Sequence, residues 1–281
     1  MNKALKGFLK IAGCISAFAA VTAGVAFVAE RIEELKNYGK ELKHKPYGVY
    51  ERFVKRPLDC FLSTGALIVF SPILAVTALL IKTKMGSPVL FKQERPGRYG
   101  KAFNMLKFRT MLSPQTRDGR ILTDKERLEC IEKGIDILTD EERLPKLGRV
   151  MRSTSLDELP ELINIIKGDM SIVGPRPLAT IYLPYYTNEE IKRHDVRPGL
   201  TGLAQVHGRN SASWSDKFKY DVEYSDKVTF MGDAKIILDT VKVVLAHEGI
   251  GQGNERPEAF HTVRQREIEE GIVSEDELVK L

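Results

Sequence analysis

The sequence predicts a membrane-attached chain whose larger part is a soluble domain of mixed helix and strand. Three observations predict this. Two long apolar segments lie in the first third of the 281 residues, and the second carries a proline at its middle. Beyond residue 84 the chain becomes charged and turn-rich, with both alternating and helical patterns.

The first apolar segment, Ile11 to Ala29, holds no charge. At the helical rise its length covers roughly 28 Å, about one hydrocarbon core. Lys3, Lys6 and Lys10 precede it, as in a secretory signal peptide, but a charged helix, "AERIEELKNYGKELK", follows in place of a cleavage site. A membrane-embedded helix is the favoured reading, and the cations after it weigh slightly for a cytoplasmic C-terminal side. Residues 1–49 thus form an N-terminal membrane helix and a linker helix.

The second segment, "CFLSTGALIVFSPILAVTALLI" (60–81), is long enough to cross. Pro72 removes a backbone donor and disfavours helical geometry at Ser71, which predicts a kink. Both flanks are basic: Arg52, Lys55 and Arg56 before, Lys82 and Lys84 after. A hairpin entering and leaving by one face has that pattern, and a kinked ordinary span remains the alternative.

Next, "PVLFKQERPGRYGKAFNMLKFRTM" (88–111) alternates around Gly and Pro and reads as a hairpin leading into a strand. Residues 113–149 hold a near-repeat, "ILTDKERLE" and "ILTDEERLP". Each copy offers a capping box, Thr123/Glu126 and Thr139/Glu142, so two short helices are expected. A Gly-rich loop at 197–210 and helices at 214–226 and 233–247 follow, and the polar tail 251–281 is expected at the periphery.

The net charge of +5 matters less than its placement. Eight Lys or Arg fall between Lys82 and Arg109 against one acid, Glu94, which suits an anionic partner. No aromatic-interleaved or helix-turn-helix pattern accompanies them, so a headgroup surface explains the block better than nucleic acid. Three widely spaced cysteines make neither a disulfide framework nor a metal site, as expected of a reducing, cytosol-facing domain. His194 and His207 have no metal-like spacing and read as structural.

The most informative stretch is "STSLDELPELINIIKGDMSIVGPRP" (153–177). Ser155 and Glu158 fit a capping box, a purely structural reading of the acids. Pro160 argues against it, falling where a helical nitrogen should already donate. A start at 157–159 tolerates Pro160, aligns Leu159, Leu162, Ile163 and Ile166 in one stripe, and ends at Gly168. Asp157 and Glu158 then project together, where a phosphate would need a bridging cation such as Mg²⁺. Pro175 and Pro177 restrict the backbone around Arg176, whose planar fork suits phosphate; a structural pair with Asp169 is the alternative. Lys107, Arg109 and Arg197 are further candidates for phosphate or for anionic headgroups.

The run "RVMRSTSLDELPELINIIKGDMSIVGPRP" resembles the signature of the bacterial sugar transferases, the monotopic polyprenyl-phosphate phosphoglycosyl transferases. The Ser-Pro of the apolar hairpin, "FKQERPGRYGKAF" and "KFRTM" before it, and "RPGLTGLAQVHGRN" and "KYDVEYSDKVTFMGDAKIILDTVKVV" after it, fall in the family's order, over about residues 50 to 250. Segment 1–49 is not well covered. The resemblance implies an α/β-mixed monotopic protein, with a re-entrant helix-break-helix at Ser71-Pro72 and a compact catalytic domain facing the cytoplasm from the inner membrane. It implies transfer of a sugar phosphate from a UDP-sugar to polyprenyl (undecaprenyl) phosphate, giving a sugar diphosphate lipid and UMP. Asp157 is then the nucleophile and Glu158 a ligand to Mg²⁺. Arg152 would orient the acids, and Asp169 would support the metal or the loop. Membrane phospholipids, a second copy in a homodimer and downstream glycosyltransferases are the expected partners. A membrane-anchored hydrolase and a non-catalytic scaffold are the rival classes. The intact acidic pair and Pro-Arg-Pro segment argue against the scaffold.

Overall fold

The computed structural model describes residues 44–122, 126, 130, 135–207, 212–245 and 258–279. The expected N-terminal membrane helix, its linker up to residue 43 and Thr123 of the first capping box lie outside the described residues. The chain divides into two compact units. One comprises Met1–Val69, Glu94–Met105 and Glu161–Leu281, and the other Phe70–Gln93 and Leu106–Pro160.

One helix, α1, runs Lys55–Met85 and holds Pro72 in its interior. The helix continues through Ser71-Pro72, so where a helix-break-helix was expected there is one continuous element. A proline deletes a single backbone bond, and the turns on each side carry the helix past it. With the preceding turn, residues Tyr50–Met85 are long and apolar enough to cross a membrane. Its large side chains are outside the protein core: Phe61 is 75% exposed, Val69 71% and Leu79 62%. The protein is therefore one that associates with a membrane. The basic N-terminal flank is a correction. Lys55 and Arg56 are buried, Lys55 on Asp233 at 2.6 Å and Arg56 on the carbonyls of Ile165 and Ile166 at 3.1 and 2.9 Å.

Strands β1 (Leu90–Pro96) and β2 (Ala102–Phe108) form the expected hairpin sheet. In the smaller unit, helix α2 (Lys146–Ser153) follows the charged loop. Ile81, Phe108 and Met151 make that unit's core, with Leu74, Ala78 and Leu147 against them. A glycine lets α2 approach closely, because a Cβ on Gly148 would lie 1.9 Å from the Thr110 carbonyl oxygen. The Thr139/Glu142 capping box forms with both reciprocal bonds, at 2.8 and 3.2 Å. It closes a turn at 140–143 where a helix was expected, with Pro145 two residues later.

In the larger unit, helix α3 (Glu161–Lys167) leads through Gly168, at φ 96°, into β3 (Ser171–Val173). Strand β3 pairs in parallel with β4 (Gly199–Thr201), Ser171 opposite Gly199 and Val173 opposite Thr201. Helices α4 (Leu203–His207), α5 (Trp214–Asp226) and α6 (Phe230–Leu245) follow, α5 with the expected bounds and α6 starting three residues before its expected 233. Val173, Val196, Tyr224, Val228 and Ile236 form the core there. A second, aromatic core joins Tyr186 and Phe218 to Phe260 at the start of α7 (Phe260–Glu269). Over 258–279 the polar tail is thus not peripheral, since Phe260 is wholly buried.

Candidate active site

Asp157 and Glu158 sit on one turn of 3-10 helix, Leu156–Glu158, between α2 and α3. This corrects the expected α-helical start. Ser155 enters the turn at φ 55°, a left-handed conformation that a non-glycine residue adopts at a cost. Pro160 closes it, and the helix begins only at Glu161. The buried residues of α3 are Glu161, Leu162, Asn164 and Ile165, so the expected single stripe is replaced by burial on most sides.

Lys107 on β2 reaches the acids, its Nζ 2.7 Å from Glu158 Oε1, with the pair 17% and 22% exposed. Arg152, in the last turn of α2, donates from Nε to Thr110 Oγ1 at 3.1 Å. Burial and the neighbouring Glu158 carboxylate push the Asp157 carboxyl above the ordinary aspartate range, while Lys107 and Arg152 pull it partly back. The structure therefore brings four of the expected residues together: Asp157, Glu158, Lys107 and Arg152. The outcome is a part-buried carboxylate pair ringed by cations.

Arg109 takes a different place. It is buried, and its guanidinium donates to the carbonyls of Ser87, at 3.0 Å, and Met85. It ties off the C-terminal end of α1, where helix carbonyls lack partners, so the expected phosphate contact is a structural residue.

Asp169, Arg176 and Arg197 belong to the larger unit. Asn164 Nδ2 donates to Asp169 at 3.1 Å and to the Asn104 carbonyl at 2.8 Å. Arg197 Nε donates to the Gly168 carbonyl at 2.8 Å. Both therefore brace the turn between α3 and β3. Arg176 is exposed between buried Pro175 and Pro177. Its segment is held by backbone bonds: Gly174 N to the Thr201 carbonyl and Gly199 N to the Pro175 carbonyl, both 2.9 Å. Side chains at these glycines would collide, a Cβ on Gly199 lying 2.1 Å from Gly174 N.

Residue reading missed a set of buried polar groups beneath this segment. Asp59, in α1, accepts from Ser171 Oγ at 2.6 Å and from Ile172 N at 3.3 Å. Tyr224 OH donates to the Val173 carbonyl and is 2.8 Å from Asp233. Arg193 pairs with Asp221 at 2.7 Å, both nearly inaccessible. The single signal for Asp59 was an acid just ahead of an apolar run. Arg193 and Asp221, 28 positions apart, gave none.

Among the described residues no three His, Cys, Asp or Glu side chains form a metal cluster. Two adjacent carboxylates nonetheless fit the habit of Mg²⁺, which binds through one or two carboxylates plus substrate phosphates. Burial first and the Glu158 carboxylate second disfavour the ionised Asp157, and a cation bound to the pair would relieve both.

A protein that associates with a membrane and carries a part-buried carboxylate pair beside cations is the class these features define. The family described as bacterial sugar transferase matches residues 50–247. A Bacillus subtilis protein described as an uncharacterized sugar transferase, EpsL, is 43% identical over 221 residues, 79% of this chain and 98% of that one. The UDP-glucose:undecaprenyl-phosphate glucose-1-phosphate transferase of Caulobacter vibrioides is 37% identical, over 68% of this chain and 69% of its own. The undecaprenyl-phosphate galactose phosphotransferase of Salmonella typhimurium is 37% identical over 70% of this chain, which spans 42% of that longer relative. The chain belongs to the bacterial sugar transferase family and is an enzyme of that class.

Proposed function

We propose that the protein transfers a sugar phosphate from a UDP-sugar to undecaprenyl phosphate through a covalent intermediate on Asp157. The observation that carries this reading is the Asp157 carboxyl, part-buried and raised beside Glu158, with Lys107 and Arg152 acting on it. A raised pKa makes the carboxylate more basic than an ordinary one, and Lys107 and Arg152 oppose the rise by favouring the ionised, nucleophilic form.

An Asp157 oxygen bonds to the β-phosphorus as the bond from that phosphorus to the bridging oxygen breaks, and UMP leaves with that oxygen. A phosphate oxygen of the lipid then bonds to the same phosphorus. The Asp157–phosphorus bond breaks, the carboxylate is restored, and the sugar diphosphate lipid departs. Splitting the transfer into two displacements spares the site from binding a nucleotide and a lipid together. Lys107 fixes Glu158 and Arg152 offsets the charge of the pair. In the larger unit Arg176, presented between two prolines, is a side chain suited to binding phosphate. Glu158, with Asp157 beside it, would hold Mg²⁺, which when bound neutralises the diphosphate and the departing UMP.

The site works at the cytoplasmic face of the inner membrane, with α1 entering and leaving the bilayer on that face and bending at Pro72. Helix α6 supports this placement. Phe230, Met231, Leu238 and Val241 are each at least half exposed, an apolar surface suited to the headgroup boundary. The product lipid passes to downstream glycosyltransferases of surface-glycan assembly.

The test is UMP release by detergent-solubilised protein with Mg²⁺, from a panel starting with UDP-glucose and UDP-galactose, with and without undecaprenyl phosphate. Release that requires the lipid and vanishes in Asp157→Asn supports the reading. Release at the same rate without lipid would replace it with a hydrolase.

A further inference from the structure

Residues 258–279 lie beyond the span matched by the family, 50–247, yet they are built into the aromatic core of the larger unit. Their target is Tyr186. Phe260 stacks on the Tyr186 ring with centroids 5.4 Å apart, and Phe218 meets both rings at 5.3 and 4.8 Å. Val279 N donates to the Tyr186 carbonyl at 3.0 Å, and Asn188 N donates to the Glu277 carbonyl at 3.0 Å. Arg264, itself buried, closes on Glu190, and Trp214 Nε1 donates to the Glu258 carbonyl at 3.0 Å. The segment is thus fastened along its length to the stretch 186–190 by ring packing, backbone bonds and an ion pair.

Tyr186 in turn serves Arg193. Arg193 Nη1 donates to the Tyr186 hydroxyl at 3.2 Å, and Nε and Nη2 donate to Asp221 at 3.0 and 2.7 Å. The remaining reach of Nη2, at 2.7 Å, goes to the backbone carbonyl of Arg176. Burying a guanidinium at 2% exposure is costly unless its donors are satisfied in fixed directions. Here each nitrogen has a partner, and the guanidinium bonds the one residue that Pro175 and Pro177 present outward.

We propose that residues 258–279 are a positioning strap for Arg176: by locking Tyr186 against Phe260 they hold Arg193, and Arg193 holds the Arg176 carbonyl. Arg193, Tyr186 and Phe260 are positioning residues. They set the placement of a phosphate-binding side chain without touching substrate. The inference rests on the reading of Arg176 as a phosphate contact.

The experiment is a double-mutant cycle on the full chain in detergent, read as the Kd of UDP with Mg²⁺ by calorimetry. UDP is the probe because it carries the diphosphate whatever sugar the enzyme uses. Arg176→Ala is the reference. Tyr186→Phe removes the hydroxyl that accepts from Arg193, and Phe260→Leu loosens the stack while keeping an apolar side chain. Each strap variant is expected to weaken UDP about fivefold, the effect of one hydrogen bond of ordinary net strength. In the Arg176→Ala background each is expected to change Kd by less than about 1.5-fold, since the strap then has nothing to position. Equal effects in both backgrounds would overturn the coupling, as would a lowered Tm with unchanged Kd. If Arg176→Ala alone leaves Kd unchanged, the phosphate reading of Arg176 fails and the strap proposal with it. Should Phe260→Leu not fold, Tyr186→Phe, which deletes one oxygen, carries the cycle alone.

Discussion

Asp157 is held in the protein against its own electrostatic preference. Its carboxyl is raised by burial and by Glu158, so the protonated form suits the folded state better than the ionised form. The favourable contribution of that proton is present at low pH and is lost as pH rises through the raised pKa. Once ionised, the buried group counts against the fold. Asp157→Asn should lower turnover by more than about a thousandfold while leaving Tm at pH 7 unchanged or higher. A matching fall in Tm, read by differential scanning fluorimetry, would mean that the residue is structural. The acid limb of the rate–pH profile should likewise lie above the ordinary aspartate range. Lys107 opposes the shift, so Lys107→Met should move that limb to higher pH, as a pH series of single-turnover UMP release would show. An unmoved limb would sever Lys107 from the titration. The pairing of Asp157 with Glu158 was legible because adjacent acids before Pro160 are costly as mere helix caps. The 3-10 geometry was not, since the backbone of Ser155 follows from how α2 ends and carries no sequence mark.

At the scale of elements, two close approaches of backbone set where the chemistry stands. Helix α2 lies against Thr110 through Gly148, and the same threonine receives Arg152 from that helix. Gly148→Ala places a carbon 1.9 Å from a carbonyl that cannot withdraw, so α2 must shift. The expected cost is ~1–3 kcal/mol, with turnover falling further than the Tm change explains because Arg152 moves with the helix. Urea unfolding beside the UMP assay separates the two. Gly199→Ala should behave alike in the larger unit, where a Cβ lies 2.1 Å from Gly174 N. Helices α5 and α6 could be read from the sequence, because local bonds and one apolar face suffice to define them, and the structure adds Ser213 as the N-cap of α5. The roles of Arg109, Arg197 and Arg193 could not. An arginine aimed at phosphate and one aimed at a carbonyl are the same letter, and only tertiary contact separates them.

For the whole molecule the open matter is which face of the membrane each end of α1 meets. The basic flanks that first argued for re-entry are weakened, because Lys55 and Arg56 are buried on protein partners. The root of α1 is bonded to residues far beyond its other end: Arg56 to Ile165, Asp59 to Ser171, Lys55 to Asp233. A chain that crossed the bilayer within α1 would need a second crossing to bring Ser171 back to Asp59. Among the described residues only Tyr50–Met85 is long and apolar enough for one. The proposed return of α1 needs a bend within the bilayer, and Pro72, at the one backbone nitrogen of its middle that cannot donate, is the candidate for it. In a cysteine-free background, Val49→Cys (Val49 is 70% exposed) and Lys84→Cys bracket the helix. A membrane-impermeant maleimide should label both in inside-out vesicles and neither in intact spheroplasts. Labelling from opposite sides would make α1 a span and would require a further crossing segment before Ser171. Adding Pro72→Ala tests the bend itself. If the proline holds the hairpin, the alanine variant should move Lys84→Cys to the spheroplast-accessible side in part of the population, and the same molecules should lose UMP release.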